Sequence, residues 1–204
     1  MSKWILLLML GAAVCAAATG AKAAIIVDGV ASPAEWSLSG NATSPDNPDI
    51  TDAWDIQEVW LANGANLYLR WDTYDTPRLK NDDLAYVNYY FEFTVGATTL
   101  RATALPTSGG GNGSDFYLEK GGVKAASTGK YVVGSVVEAY VPYDAFSDLG
   151  VSLPETFSAT AFINNSMEED DDAAGPFDVG VPEPATIVLL GLGAVGAWVG
   201  RRRN

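Results

Sequence analysis

Aspartates recur at close spacing in one short segment, and their oxygens could bind a metal ion. The segment reads "DNPDITDAWD" from Asp46 to Asp55, and further aspartates follow the next apolar stretch. Carboxylates supplied by loops suit Ca²⁺, which takes about six to eight oxygen ligands in flexible geometry. We therefore predict calcium as a cofactor, with the ligands Asp52, Asp55, Asp72 and Asp75. The alternative is that these acids are solvated or form turns, since the chain has no EF-hand loop.

Aromatic residues on polar strand faces form a second candidate site. Alternation places Trp60 and Tyr68 on the outer face of one hairpin, and it places Tyr86 and Tyr90 beside Asn88 in "LAYVNYYFEFTV". Such rings are apolar bodies with a polar edge, so they can stack on the C–H faces of sugars. We therefore predict carbohydrate binding by Trp60, Tyr68, Tyr86 and Tyr90. The alternative is that these rings only cover the sheet.

The residue types favour a protein that is not an enzyme. The chain has no histidine, so it lacks the commonest general base and the commonest transition-metal ligand. Carboxylates are abundant, but none stands in the apolar setting that raises the pKa of a general acid. No serine or lysine stands in a nucleophile motif. We therefore predict no catalytic residues.

Alternating apolar and polar residues, rich in Val, Tyr, Phe, Trp and Thr, dominate the middle of the chain. This period of two predicts strands. They are expected at 56–62, 66–72, 84–95, 98–105, 115–119, 131–141 and 156–163, with an edge strand at 25–28. Strands at this density without intervening helices indicate an all-β fold, an antiparallel β-sandwich or barrel. We predict the sandwich, jelly-roll or immunoglobulin-like.

The segment "DIQEVWLANGANLYLRWD" predicts a hairpin that turns at Asn63-Gly64, where a positive φ costs little. The expected cross-strand pairs are Ala62 with Asn66, Leu61 with Leu67, Val59 with Leu69, Gln57 with Trp71, Trp60 with Tyr68 and Glu58 with Arg70. This register sorts apolar and polar residues onto opposite faces. It also places Asp55 beside Thr73, at the hairpin end that carries Asp72 and Asp75.

The N-terminus predicts a secretory signal peptide at residues 1–23. Lys3 precedes an apolar run, Trp4–Val14, and small residues then end in an A-x-A-like cleavage site at 21–23. The body that remains, residues 24–180, is long enough for one domain and contains no cysteine. It holds 24 of the 25 acidic residues and 7 of the 12 basic ones, a net charge of about −17. This acidity excludes the basic surface that binds nucleic acid.

The C-terminus reads "VPEPATIVLLGLGAVGAWVGRRRN" from residue 181. The apolar run at 185–200 would span about 24 Å as a helix, slightly short of a hydrocarbon core of about 30 Å. Three parts occur in order: Pro182-Glu183-Pro184, the apolar run, and Arg201, Arg202 and Arg203. This segment resembles the PEP-CTERM sorting signal. The resemblance implies processing by an exosortase and delivery to the cell surface, and a plain single-span anchor is the alternative.

The body resembles family 9 carbohydrate-binding modules and related DOMON-like sandwiches. The resemblance rests on "VDGVASPAEW", "NLYLRWD", "VEAYVPYDAF" and "FINNSMEEDDD". In that family a late strand carries an acid followed by an aliphatic-Pro-aromatic turn, as Glu138, Val141, Pro142 and Tyr143 do here. The resemblance implies a sandwich fold and a carbohydrate ligand.

The sequence therefore predicts four segments. They are a signal peptide at 1–23, a β-sandwich at 24–166, an acidic loop or linker at 167–180, and a sorting signal at 181–204 with a transmembrane helix at 185–200. The predicted function is exopolysaccharide binding without catalysis by an exported, transiently anchored protein. The expected partners are an exosortase, a polysaccharide and the membrane, but not nucleic acid. The alternative is a structural or adhesive biofilm matrix protein without a glycan site.

Overall fold

The computed structural model describes residues 25–36, 40–48, 50–78, 87–104, 114–165 and 172–180. The elements are α1 (Pro33–Trp36), β1 (Gly40–Thr43), β2 (Ile56–Asn63), β3 (Leu67–Thr73), β4 (Val87–Val95), β5 (Thr98–Ala104), β6 (Ser114–Lys120), β7 (Val123–Val133), β8 (Val137–Val141), α2 (Tyr143–Asp148), β9 (Thr156–Asn165) and β10 (Asp172–Gly180). The predicted signal peptide and the segment 181–204 lie outside these ranges. Within the ranges, no helix has the length and apolar character needed to cross a membrane.

The ten strands of the described chain form one sheet, ordered β1-β2-β3-β8-β7-β6-β5-β4-β9-β10. Every neighbouring pair is antiparallel. Strand twist accumulates across the sheet, and the first and last strands lie close together without a hydrogen-bonded ladder between them. The all-β antiparallel prediction is confirmed. The structure differs from the predicted sandwich because one nearly closed sheet replaces two separate sheets.

One aromatic core fills the curve of the sheet. Trp71 on β3 is fully buried, and its ring centroid lies 4.7 Å from that of Phe91 on β4 and 6.3 Å from that of Phe116 on β6. The same cluster includes Phe93 of β4, whose ring centroid lies 6.0 Å from that of Phe146 on α2. Since β3 and β4 lie far apart in the strand order, these contacts close the sheet on itself.

The β2–β3 hairpin forms as predicted, but its register is shifted by two residues. Leu61 pairs with Leu69 and Trp60 pairs with Arg70. An even shift keeps the side chains from Glu58 to Asn63 on their predicted faces. A bulge between Ile56 and Glu58 reverses the start of the strand, so Ile56 is buried and Gln57, predicted to face Trp71, is exposed. The predicted positive φ at Gly64 is wrong, because Gly64 is not among the glycines with positive φ. A Cβ there would lie 3.1 Å from the Tyr68 ring, so the glycine makes room for that ring instead.

The predicted strand at 131–141 is two strands, β7 and β8, joined by a turn at 134–136. A Cβ on Gly134 would lie 2.4 Å from the carbonyl oxygen of Gly29, which also accepts the Ser135 N–H at 2.8 Å. The N-terminal segment therefore crosses this turn closely. The predicted edge strand at 25–28 is wrong, because these residues belong to no strand and Asp28 instead binds the Glu138 side chain of β8.

The predicted linker at 167–180 is wrong over most of its length. Residues 172–180 form β10, which pairs with β9 from Asp172–Ile163 to Gly180–Thr156. Ala174 and Val179 are buried, so this strand contributes to the core. The domain therefore extends to residue 180 rather than 166.

The strand directions define two ends of the sheet. We call one the tail end: it carries the β2–β3 turn at 64–66, helix α2 and Gly180. We call the other the acidic end: it carries residues 44–55, the β7–β8 turn and Asp172. The carboxylates of Asp46, Asp52, Asp55, Asp72, Asp75 and Asp172 belong to the acidic end.

Candidate functional site

A buried carboxylate on the outer face of β8 holds the N-terminal segment against the sheet. Glu138 is 0% exposed, and it accepts the backbone N–H groups of Asp28 at 3.0 Å and Gly29 at 2.9 Å. Its other oxygen accepts the indole N–H of Trp36 at 3.1 Å. Burial raises the pKa of Glu138, and these three hydrogen bonds oppose that rise. The contact joins two of the segments that carry the resemblance to carbohydrate-binding modules.

Arg70 lies on β3, between Glu138 of β8 and Trp60 of β2 on the same outer face of the sheet. It pairs with Glu138 in the β3–β8 register, and its guanidinium binds Asp72 in a bidentate pair at 2.6 and 2.5 Å. The same guanidinium carbon lies 5.8 Å from the Trp36 ring centroid and 5.7 Å from that of Trp60. Cation–π contact on two sides and a bidentate carboxylate offset the cost of burying this charge.

Two aspartates meet where the edge strands of the sheet approach each other. Asp55 is 0% exposed and accepts the Asn47 N–H at 2.7 Å, while Asp172 accepts the N–H groups of Ile56 at 2.5 Å and Ala173 at 2.9 Å. The other carboxylate oxygen of Asp55, Oδ1, is buried without a hydrogen-bond partner among the described residues, and Asp172 lies close enough to act on its charge. Burial chiefly, and then the charge of Asp172, raise the pKa of Asp55 to about 6, against the opposing Asn47 hydrogen bond. Protonation of Asp55 removes the repulsion between the two carboxylates.

The structure distributes the predicted calcium ligands over different contacts. Asp72 binds Arg70 and Asp55 meets Asp172, whereas Asp52 and Asp75 are joined only by a backbone hydrogen bond of 3.1 Å. Across the described ranges, no group of three or more acidic side chains is placed to hold a metal ion. Calcium binding stays a prediction from the sequence.

The predicted sugar-binding aromatics do not form one platform. Trp60 and Tyr68 are half-buried on the outer face of β2 and β3, as expected. Tyr90 is only 7% exposed, because its ring stacks on Phe162 at 4.8 Å and Arg101 lies 4.5 Å above it. Tyr86 lies outside the described residues. Sugar binding by these residues stays a prediction.

Tyr140, which the sequence did not single out, lies with Tyr68 and Tyr143 at the tail end. Tyr140 on β8 pairs with Tyr68, with ring centroids 6.2 Å apart, and both are half-buried. The Tyr143 hydroxyl donates to Asn63 Oδ1 at 2.8 Å. Burial chiefly, with Tyr68 nearby, raises the pKa of Tyr143 to about 12, so its hydroxyl is neutral at ordinary pH. Alternation in "VEAYVPY" was the signal that could have placed Tyr140 on the outer face.

The C-terminal segment contains a motif for protein sorting. Residues 180–203 match the model of the PEP-CTERM protein-sorting motif. The chain carries a PEP-CTERM sorting motif. The motif marks an exported protein that is processed by an exosortase, and it includes Pro182, Glu183, Pro184 and Arg201–Arg203. Beyond this motif, neither a curated protein nor a solved structure matches the chain.

Truncating Glu138 should destabilise the domain, because three buried donors would lose their acceptor. For Glu138→Ala we expect a loss of about 3 kcal/mol or more in the free energy of unfolding, or roughly 5–10 °C in melting temperature. Circular dichroism during heating measures this loss. Glu155→Ala, at an exposed position, is the matched control, and equal melting of the two variants would contradict the proposed role of Glu138.

Replacing Asp55 should change how stability depends on pH. The folded-state pKa of about 6 lies above the ordinary value of 3.8. The stability contributed by the protonated pair is therefore full below pH 4 and is lost as the pH rises through 6. Asp55→Asn keeps a donor toward Asp172 without the titration, so we expect a flatter stability profile between pH 4 and 7.

Urea unfolding at several pH values tests this expectation. At pH 7 the Asp55→Asn variant should be more stable than the native protein by about 1 kcal/mol or more. Asp144→Asn, at an exposed site, should follow the native profile. An Asp55→Asn profile as steep as the native one would show that this pair does not titrate with folding.

Proposed function

We propose that this chain is a cell-surface or extracellular-matrix protein whose β domain binds polysaccharide without catalysis. Two observations support the proposal: the PEP-CTERM motif, and aromatic side chains on an outer sheet face. We call that face the outer aromatic face: Trp60, Tyr68 and Tyr140 on β2, β3 and β8. All three residues are half-buried, although the indole nitrogen of Trp60 is itself buried.

The arrangement of this face suits a sugar chain better than a protein core. Ala62, Tyr68 and Tyr140 form one cross-strand row, and Trp60 lies in the next row toward the acidic end. Opposite residues in such rows are about 5 Å apart and diagonal ones about 7–8 Å, so the rings can contact successive sugar units. The polar neighbours Asn41 and Glu58, which are hydrogen-bonded to each other, can supply donors and acceptors at the rim. Tyr90 is not included, because its ring is covered.

The second candidate is a structural matrix protein with no glycan site. The contact of Arg70 with the Trp60 ring favours it, since this contact already occupies one ring surface. In that case the outer aromatic face packs the N-terminal segment and binds no sugar. The two functions differ in polysaccharide binding, and a binding experiment separates them.

Pull-down on a panel of bacterial polysaccharides tests the proposal. We expect Trp60→Ala and Tyr140→Ala each to weaken binding about tenfold, equivalent to about 1.4 kcal/mol, because each removes one stacking ring. Tyr74→Ala is the matched control, since Tyr74 is an exposed tyrosine at the acidic end. Binding that survives both face variants would refute this site, and no binding to any polysaccharide would favour the structural function.

Calcium ordering of the acidic end is the finer part of this proposal. It is supported by the concentration of carboxylates there and by the suitability of oxygen ligands for Ca²⁺. The same pull-down and melting curves repeated with calcium and with a chelator test it. A melting temperature that does not change on chelation removes calcium from the proposed function.

Mass spectrometry of the secreted protein tests the processing. We expect a mature form that begins at Ala24 and lacks Arg201, Arg202 and Arg203, because the signal peptide and the sorting segment are both removed. A deletion of the three arginines is the informative control, since it should leave the protein unprocessed in the membrane fraction. A secreted native form that still carries the arginines would contradict sorting by exosortase.

A further inference from the structure

The last strand of the domain is bound at the tail end of the sheet. The Asn63 side-chain amide donates to the carbonyl oxygen of Gly180, the last residue of β10. The other atom of that amide, Oδ1, accepts the Tyr143 hydroxyl. Asn63 also ends β2 beside the turn at 64–66. The exit point of the chain is therefore held next to this turn and to helix α2.

The chain that follows is too short to let this end leave a membrane surface. Ala185, the first residue of the apolar run, comes five residues after Gly180. A fully extended chain spans at most about 3.6 Å per residue, so five residues reach about 18 Å. The headgroup layer takes up about 5–8 Å of that distance on each side of the bilayer. At most about 13 Å remains between the tail end and the lipid headgroups while the apolar run is inserted.

The chemistry of the tail end fits such a surface. The turn at 64–66 carries no charge, and its Gly64 and Ala65 are exposed. Tyr68, Tyr140 and Tyr143 lie beside the turn with partly exposed rings. Tyrosine is enriched at the level of lipid headgroups, because its ring is apolar and its hydroxyl is polar.

The distribution of acidic residues favours the same orientation, with the tail end toward the bilayer. The cluster of aspartates lies at the acidic end, on the far side of strands about 25 Å long. Anionic lipids repel carboxylates over roughly a Debye length. A domain held by its tail end therefore keeps this cluster of aspartates away from the bilayer. The tail end itself also carries exposed acids: Asp144 and Asp148 on α2, Glu155 before β9 and Asp178 near the end of β10.

We propose that the tail end, residues 63–66 with Tyr68, Tyr140 and Tyr143, is the surface that the domain lays on lipid headgroups before processing. The proposal rests on membrane insertion of the apolar run at 185–200, which belongs to the proposed function. The partner is the lipid surface itself, recognised by amphipathic tyrosines and an uncharged turn. The interaction ends when processing separates the domain from the inserted segment.

Site-specific fluorescence on the full chain tests the contact. Cys15 is the only cysteine, so in a Cys15→Ala background a single cysteine can be placed at Ala65 or, as the matched control, at Thr76. Both positions are exposed, one at each end of the sheet. Each labelled protein is reconstituted into phosphatidylcholine vesicles containing lipid with a nitroxide headgroup. We expect quenching at position 65 at least threefold stronger than at position 76.

A longer tether separates docking from mere proximity. About 20 Gly/Ser residues inserted between Val181 and Pro182 give a root-mean-square reach of about 25 Å, which would free an undocked domain. We expect quenching at position 65 to persist with this tether and to disappear when Tyr68→Ser and Tyr140→Ser are added. Tyr74→Ser should leave the quenching unchanged. Circular dichroism of each variant establishes that it is folded.

The outcomes distinguish this inference from the function on which it rests. If the native chain does not float with the vesicles, the proposed membrane insertion of residues 185–200 is wrong, and so is the docking surface that depends on it. If the chain floats but quenching is equal at positions 65 and 76, or is lost with the long tether, insertion stands and docking is wrong. If quenching persists in the double tyrosine variant, the lipid contact does not depend on these tyrosines and the proposed surface is wrong.

Discussion

The closure of one curved sheet around one aromatic core is the constraint on which the rest of the structure depends. Trp71, Phe91 and Phe116 come from strands that are distant in the sheet order, and they meet only because the sheet bends. Burying each such ring contributes roughly 2–3 kcal/mol. The bend leaves two edge strands side by side without a ladder, so side chains must complete the seam. Asp172 does so at the acidic end by accepting the Ile56 N–H, and Asn63 does so at the tail end by donating to Gly180.

The same curvature explains why charged groups are buried outside the core. A strongly bent sheet has a convex outer face, and β3 and β8 are covered there by the N-terminal segment. Glu138 and Arg70 become buried under this cover, and each is compensated in a different way. Glu138 receives three hydrogen bonds from N–H groups, whereas Arg70 receives a bidentate carboxylate and two indole rings. Removing one partner of a buried charge destabilises a protein by more than the intact pair stabilises it. The sheet therefore needs the N-terminal segment over these charges, and the segment is held in place by them.

Sequence patterns predicted the strands that have one apolar face, and they failed where no local pattern exists. Alternation placed Leu61 and Leu69 inside correctly even though the register was two residues off, because an even shift preserves the faces. The strand β10 was hidden by the acidic run that precedes it and by Pro176, which read as a linker. The partners of Glu138 lie about a hundred residues away in sequence, and the Asp55–Asp172 contact spans a similar distance. Such pairs depend on how the sheet closes, and no short segment encodes that.

The position of β10 also has a consequence for the order of events during export. A chain that emerges from its N-terminus presents β10 last, immediately before the PEP-CTERM motif. Until then Ala174 and Val179 are missing from the core, and the seam beside β1 and β2 is open. A stalled or truncated chain is therefore an unfinished sheet with exposed strand edges, which is a template for aggregation. The sheet therefore lacks its last strand until the segment directly before the sorting motif has emerged.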